Sequence, residues 1–235
     1  MSRPLLDANH SCLDGVRCPL ADDLGLYGVN CDGREELERF IAAKYLQVHK
    51  AELGEYLPLL LGIRDKGSLA SVSGFRPGLY RPMFLEQYLD IPIEQQVSNL
   101  AKRPVDRCSL VEIGNFAVTR RGYGPLAMTM MAAILSEAGY EWMIFTATEQ
   151  VERLISRLGF RPQYLAGADA DRLVGDKSRW GSYYENNPRV MVGHIETAIG
   201  VIAQNPRLAE MVDVHQKDIK QVASSLGDYR RLRVE

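Results

Sequence analysis

The segment from Val118 to Met131 constrains the fold more than any other part of this sequence. Its residues, VTRRGYGPLAMTMM, place a β-prone stretch, a glycine-rich turn and the start of a helix in direct succession. Glycine allows close backbone approach, and the start of a helix offers unpaired N–H groups and a positive dipole end to an anion. Arg120 and Arg121 add positive charge at the same place. The segment therefore predicts an α/β fold with a phosphate-binding turn.

Two familiar phosphate-binding patterns do not fit this turn. A dinucleotide-binding turn reads GxGxxG with a later acidic residue, and a P-loop ends in Gly-Lys followed by Ser or Thr. Neither pattern occurs at Gly122 and Gly124. A tight turn without a ligand is the alternative, but the flanking arginines and the helix favour a phosphate.

Helices and strands alternate around this segment in a mixed order. Apolar periodicity and turn residues mark most of the elements. We predict, in order, a helix over 34–52, a hairpin over 56–75, a helix over 93–100, a strand within 105–118, a helix over 125–137, a strand over 142–148, a helix over 151–158 and an amphipathic helix over 207–232. Such an order predicts a mixed central sheet flanked by helices.

The composition limits the function classes. Net charge is −2, so no basic excess indicates nucleic-acid binding. The longest apolar stretches, such as 56–63, are far shorter than the roughly 20 residues that span a bilayer, and the first residues lack a signal-peptide pattern. We therefore expect a cytoplasmic protein without a transmembrane segment. The four cysteines match no familiar zinc spacing, so we predict no metal.

Three regions follow from these patterns. Residues 1–33 are rich in Asp, Gly, Pro and Cys without periodicity, and we predict an N-terminal arm that orders on the domain. Residues 34–198 form the α/β domain, and residues 199–235 form a C-terminal helical extension. The apolar stripe of the last helix fits a homodimer as well as packing on its own core.

Three polar residues in apolar stretches are candidates for catalysis. Glu86 and Glu112 are acids among apolar neighbours, where burial would raise a carboxyl pKa towards the range of a general base. The alternative for each is solvent exposure or pairing with an arginine. Asn115 can donate to a thioester carbonyl or can cap a distortion of the strand.

The glycine turn resembles the acyl-CoA-binding motif of the general N-acetyltransferase (GNAT) superfamily, R/Q-x-x-G-x-G/A. Arg121, Gly122, Tyr123 and Gly124 fit its first four positions, and Leu126 stands where Gly or Ala is usual. The segment VERLISRLGFRP at 151–162 resembles the final helix of that superfamily. A tyrosine four residues before the glycine often protonates the leaving thiolate there, whereas this chain has Ile155.

The strand VEIGNFAV at 111–118 is similar to the Glu-x-Ser-Arg-Phe-x-Val strand of acyl-homoserine-lactone synthases, a GNAT-like branch that uses acyl carrier protein. Glu112, Phe116 and Val118 match, while Gly114 and Asn115 replace the Ser-Arg pair. The resemblance implies that this strand binds the pantetheine arm, with Phe116 and Val118 beside it.

A set of short motifs in order resembles the thermostable hemolysin family over roughly residues 35–198. The motifs are FLEQYLD-x-PIE at 84–94, VEIGN at 111–115, FTAT at 145–148, RLGF at 157–160 and WGSYY at 180–184. The family has a GNAT-like core, and this resemblance implies the same fold here.

These resemblances imply an acyltransferase that moves an acyl group from acyl-CoA or acyl carrier protein to a small amine, such as an amino acid. Glu112, alone or together with Glu86, would accept the amine proton, Asn115 would orient the carbonyl, and the turn at 121–124 would hold the phosphate. Two alternatives stay open: a membrane-active hemolysin and a module that binds acyl thioesters without turnover.

Overall fold

A computed structural model describes residues 24–80, 82–119 and 122–231. Most of the predicted arm, Arg120 and Arg121 therefore lie outside the described residues. The described chain forms a seven-stranded mixed sheet flanked by helices, which confirms the predicted fold class. The strands are β1 (Leu24–Tyr27), β2 (Leu59–Asp65), β3 (Ser68–Pro77), β4 (Leu110–Val118), β5 (Trp142–Ala147), β6 (Gln163–Gly167) and β7 (Arg189–His194).

The strands lie in the order β1-β2-β3-β4-β5-β7-β6. All neighbouring pairs are antiparallel except β4 and β5, which run parallel. The β2–β3 hairpin is confirmed: Lys66 (φ 51°) and Gly67 (φ 79°) form its two-residue loop. A two-residue hairpin turn whose twist matches that of the flanking strands requires positive φ at both positions.

Helices cover both faces of the sheet. They are α1 (Arg34–His49), α2 (Ile93–Ala101), α3 (Tyr123–Glu137), α4 (Glu149–Arg157), α5 (Ile195–Gln204), α6 (Pro206–Val214) and α7 (Gln216–Arg231). Side chains along β2 point alternately to the two faces. Leu59 and Leu61 pack with α3 and α7 on the first face, whereas Leu60 packs with α1 on the second. The helix α2 and a short 3-10 helix at Phe84–Tyr88 also lie on the second face.

Two of the differences from the sequence prediction lie near the ends of the chain. Residues 24–27, inside the predicted arm, form the edge strand β1, which pairs with β2. The single helix predicted over 207–232 is wrong, because α6 and α7 are separate helices with His215 between them. Their apolar faces both pack against the domain, so the periodicity continues across the break and hides it.

The C-terminal helices are part of the main core. Ile219, Val222, Leu226 and Tyr229 of α7 are buried against α3 and the sheet. The boundary predicted at residue 198 falls inside α5. No helix in the described part of the chain is both long enough and apolar enough to cross a bilayer.

The α7 packing predicts a large stability effect. Leu226 is fully buried, so Leu226→Ala removes packed methyl groups and leaves a cavity. We expect the free energy of unfolding to fall by about 2–5 kcal/mol, measured by denaturant titration. The exposed neighbour Ser224→Ala is the control and should change it little. Equal stability of the two variants would contradict the view that α7 belongs to the core.

Candidate active site

The strands β4 and β5 separate partway along their length. Their parallel pairing runs from Leu110–Trp142 to Ile113–Phe145, and no later pair joins them within the described residues. Yet β4 continues to Val118 and β5 to Ala147. Backbone N–H and C=O groups on the facing edges beyond Ile113 are thus available to a ligand that lies between the strands.

A β-bulge in β4 lies where the strands part. Val72 pairs with Ala117 and Gly74 pairs with Gly114, so one β3 residue faces two β4 residues, Asn115 and Phe116. Such a bulge bends its strand and increases the local twist. Asn115 has φ 50°, in the left-handed region that Asn tolerates better than most residues.

The side chain of Asn115 fixes this bulge. Its Oδ1 accepts a hydrogen bond of 2.8 Å from the backbone N–H of Leu57. The Leu57 carbonyl in turn accepts one of 2.9 Å from the buried guanidinium of Arg34, which also donates to the carbonyls of Tyr27 and Pro58. The strand-capping interpretation of Asn115 is therefore what the geometry shows. Its amide nitrogen remains able to donate to a ligand.

The start of α3 opens on the gap between the strands. Gly122 caps the helix with φ 95°, and the first turn contains no acidic residue. Gly124 lies close to α4: a Cβ at this position would lie 3.1 Å from the Leu154 Cδ2 atom. The first N–H groups of a helix have no acceptor within the helix, and the phosphate site predicted at this helix start stays a prediction.

A cavity of about 990 Å³ runs through the gap between the strands. This volume is at the upper end of the roughly 300–1,000 Å³ typical of small-molecule sites. On the first face of the sheet its wall is apolar, with Met128, Met131, Met143, Phe145, Ala198 and Val201. On the second face it is lined by polar and aromatic side chains, including Glu112, Arg76, His49, Tyr45, Phe84, Tyr88, Trp180 and Tyr183.

Glu112 is the buried acid of this cavity. Its Oε2 and Oε1 atoms accept hydrogen bonds of 2.9 Å from the backbone N–H groups of Phe84 and Leu85. The Nε atom of Arg76 lies 3.9 Å from Oε2. Burial raises the pKa of Glu112, and the charge of Arg76 and the two N–H donors offset this only in part. The raised pKa that we predicted for Glu112 is confirmed.

For Glu86 the structure shows the alternative interpretation, pairing with an arginine, and the pKa is lowered instead of raised. Its carboxylate pairs with Arg107 at 2.5 Å and accepts 2.9 Å and 3.4 Å hydrogen bonds from the N–H groups of Met83 and Ile93. Burial alone would raise the pKa of Glu86, but the Arg107 guanidinium and these donors outweigh it and hold the pKa below its usual value. Glu86 is outside the residues that line the cavity. The ion pair fixes the 3-10 helix that supplies the N–H donors to Glu112.

A segment that we call the covering segment (residues 173–187) closes the second-face side of the cavity. Its Ser182 N–H donates to the carbonyl of His49 at 2.7 Å, and the Glu52 N–H donates to the Arg179 carbonyl at 2.6 Å. Gly181 has φ 50° and ψ −126°, a conformation that only glycine adopts readily. Aromatic rings of this segment and its surroundings pack together: Tyr45, Phe84, Tyr88, Trp180, Tyr183 and Tyr184.

Most of the other predicted site residues that the structure describes line the cavity, and one does not. Phe116, Val118, Gly122 and Gly124 line the cavity, whereas Tyr123 packs against the main core. Ile155, at the position of the superfamily tyrosine, is buried and lines the cavity.

Sequence reasoning missed two polar residues of the cavity wall. Arg76 lies in β3 and His49 ends α1, far from Glu112 along the chain. Neither belongs to a local motif, so only the sheet register and the packing of α1 reveal them.

Several solved structures share this fold. TofI in an apo form superposes with a TM-score of 0.51 at 15% identity, over 80% of this chain and 99% of that one. BjaI, a CoA-dependent acyl-homoserine lactone synthase with SAM and isopentyl-CoA, gives 0.50 at 14% identity over 85% and 96%. FeeM, an N-acyl amino acid synthase from uncultured soil microbes, gives 0.51 at 10% identity over 79% and 97%. At these identities the similarity is one of fold.

At the level of sequence, a family model described as thermostable hemolysin matches residues 28–199. This match confirms the family resemblance seen in the motifs. No curated protein matches the chain.

The Glu86–Arg107 pair predicts a pH-dependent loss of stability. Because folding lowers the pKa of Glu86, its stabilising effect is present above the unfolded-state pKa and disappears as pH falls through the folded-state value. Glu86→Gln should lower the free energy of unfolding by about 1–3 kcal/mol at pH 7, since Glu94 still pairs with Arg107. The difference from wild type should vanish at acid pH.

Denaturant titrations at several pH values measure this difference. Glu185→Gln, at an exposed site, is the control. A difference that grows towards acid pH would contradict the assignment.

Gly181 predicts a local effect on the covering segment. A Cβ at this position would lie 2.2 Å from the His49 carbonyl oxygen, so Gly181→Ala must break the contact of the segment with α1. We expect altered Trp180 fluorescence and a loss of about 1–3 kcal/mol in stability. Gly200→Ala meets no atom within 4 Å and serves as the control. Unchanged fluorescence in Gly181→Ala would show that the segment is not held by this contact.

Proposed function

The chain belongs to the thermostable hemolysin family, and we propose that it is an acyltransferase that moves an acyl group from a phosphopantetheine thioester to a small amine. The observation that carries the proposal is the separation of β4 and β5, which connects a helix start suited to phosphate with a buried carboxyl of raised pKa. The chemistry needs both groups, one to hold the donor and one to take a proton.

The donor would be acyl-CoA or acyl carrier protein, since both present the same pantetheine arm through a phosphate. The helix start at Gly122–Gly124 would bind that phosphate with its free N–H groups. Arg120 and Arg121 precede this turn in the sequence and would add charge. The amide groups of the arm would hydrogen-bond to the unpaired edge of β4 near Phe116 and Val118.

The acyl chain and the thioester would lie in the cavity between the two strands. Its first-face wall contains three methionines, Met128, Met131 and Met143, whose flexible side chains adapt to apolar groups of different shape. The amine would approach from the second face, where Glu112 and the aromatic rings lie. The donor would then enter from the first face and the amine from the second, and the two would meet at the thioester carbon in the gap between the strands.

In the reaction, the amine nitrogen attacks the thioester carbonyl, a C–N bond forms and the C–S bond breaks. Glu112 would take a proton from the nitrogen, and the leaving thiolate gains a proton to become the free thiol. A carboxylate with a raised pKa suits this role because it is a stronger base than an ordinary carboxylate and can release the proton again near neutral pH. The Asn115 amide would donate to the carbonyl oxygen as charge develops on it.

The acceptor class is proposed by analogy with structures of the same fold. BjaI is an acyl-homoserine lactone synthase and FeeM is an N-acyl amino acid synthase, and both names describe acylation of an amine. An amino acid or a similar amine is therefore the first acceptor to test.

We predict that the purified protein forms an acylated amine. The assay is intact-mass spectrometry with panels of acyl-CoA and acyl carrier protein donors and a pool of amines. Glu112→Gln should lower kcat about 10²–10⁴-fold because it removes the proton acceptor. Arg121→Ala should weaken donor binding about tenfold or more. Glu141→Gln, at the surface and outside the cavity, is the control.

Two other results would contradict the proposal. Thioester that binds and is never consumed, whatever the amine, would indicate a binding module instead of an enzyme. Rapid dose-dependent leakage of lipid vesicles without any acyl donor would favour the membrane activity that the family description names.

A further inference from the structure

His49 occupies an unusual position on the wall of the cavity. It is the last residue of α1 and lines the cavity together with Glu112. Its ring packs against two tyrosines, with centroid distances of 5.8 Å to Tyr45 and 5.2 Å to Tyr183. The imidazole therefore lies in the part of the cavity where the amine would approach.

The ring nitrogen Nδ1 of His49 is buried and has no hydrogen-bond partner among the described residues. Buried polar atoms in folded proteins are nearly always paired, so an unpaired one needs an explanation. The other described histidines differ. The Nδ1 atom of His215 lies 2.8 Å from the Met211 carbonyl, and that of His194 lies 3.4 Å from Thr197 Oγ1. No described hydrogen bond to Nδ1 fixes which ring nitrogen of His49 carries the proton, so either tautomer is open to the neutral imidazole.

The backbone of His49, in contrast, is held firmly. Its carbonyl accepts hydrogen bonds from the N–H and the hydroxyl of Ser182, at 2.7 Å and 3.2 Å. Gly181 packs directly against the same carbonyl. The structure thus fixes the position of the residue in the wall, while Nδ1 has no partner in the part of the chain that the structure describes.

The proposed reaction removes two protons from the acceptor nitrogen when the amine binds as an ammonium ion. A basic amine is an ammonium ion near pH 7, and it must lose one proton before it can attack. The nitrogen then loses a second proton as the amide forms, and the thiolate gains one. Glu112 can hold only one proton at a time, so one carboxylate cannot take both without releasing the first.

We propose that His49 accepts one of these two protons, from the ammonium form of the acceptor, and so generates the free amine that attacks the thioester. This inference rests on the proposed function. His49 would be a catalytic residue on the acceptor side, and Glu112 would take the second proton as the amide forms. The net reaction releases one proton to solvent, because two leave the nitrogen and one reaches the thiol.

The surroundings of the ring suit this role. Burial lowers the pKa of His49, so the imidazole is neutral near pH 7 and able to accept a proton. The two tyrosines beside it cannot replace it, since burial raises the pKa of Tyr45 to about 12 and raises the pKa of Tyr183 well above its usual value. The charged side chains that line this end of the cavity come from α1, from the segment that follows it and from the covering segment: Lys44, Glu52, Glu55, Asp176 and Arg179.

The test compares acceptors that do and do not need the first deprotonation. Two pairs of probes are benzylamine with O-benzylhydroxylamine, and glycine with aminooxyacetate. The first member of each pair is an ammonium ion at pH 7, whereas the aminooxy group of the second is neutral there. A medium-chain acyl-CoA and the matching acyl carrier protein serve as donors. The variants are His49→Gln and, as a control outside the cavity, His215→Gln.

We expect His49→Gln to acylate the basic amines about 10²-fold or more slowly than wild type at pH 7. Its kcat/KM should then rise about tenfold per pH unit until the amine itself loses its proton, while the wild-type profile stays flatter. With the aminooxy probes, the variant should remain within a few-fold of wild type. His215→Gln should match wild type throughout.

Each other outcome overturns the inference. Equal losses on both kinds of acceptor would assign His49 a purely structural role, as would a variant with the pH profile of wild type. A wild-type protein that acylates none of the amines would overturn the proposed function and this inference with it. Active wild type with an unaffected His49→Gln would overturn the inference alone.

Discussion

The separation of β4 and β5 beyond Ile113 is the constraint on which the rest of the site depends. It is held open by the bulge at Asn115, whose side chain binds the Leu57 N–H, and by Arg34, which binds the carbonyl of the same residue. A regular ladder would continue and close the gap. One amide side chain and one buried guanidinium thus join α1, the segment before β2 and the splayed strand. This polar network fixes the bulge at the point where the two strands part and the cavity begins.

The two carboxylates of the second face show how environment shifts carboxyl pKa values in opposite directions. Glu86 meets a guanidinium and two N–H donors and is held ionised, whereas Glu112 is more deeply buried, with its cation 3.9 Å away. The two carboxylates are also connected through the short 3-10 helix at Phe84–Tyr88. The Glu86–Arg107 pair fixes the 3-10 helix whose first N–H groups hold Glu112. Opposite pKa shifts in neighbouring acids are the pattern expected where one is structural and the other carries protons.

Periodicity in the sequence predicts the hairpin, most helices and the strand that carries Glu112, because these elements are set by local spacing. It misses β1, whose four residues are too few to show a period, and the break at His215, across which both helices bury apolar faces. The residues of the candidate site also fall into those that a local pattern predicts and those that it misses. The glycine turn and Glu112 belong to one continuous motif, whereas Arg76 and His49 reach the cavity through sheet register and the packing of α1. Contacts between residues far apart in the chain leave no local signal.

The proposed mechanism explains why this chain can have Ile155 in place of a tyrosine that protonates the thiolate. A thiolate that leaves beside this buried apolar side chain is poorly solvated, so the pKa of its thiol is raised and it takes a proton readily. A carboxyl that has just received a proton in the same cavity, and whose own pKa is raised by burial, is an adequate donor for it. A tyrosine at position 155 is then not required. In the proposed mechanism the apolar wall and the buried acid would act together: the first would make the leaving group basic, and the second would return the proton that the nitrogen gave up.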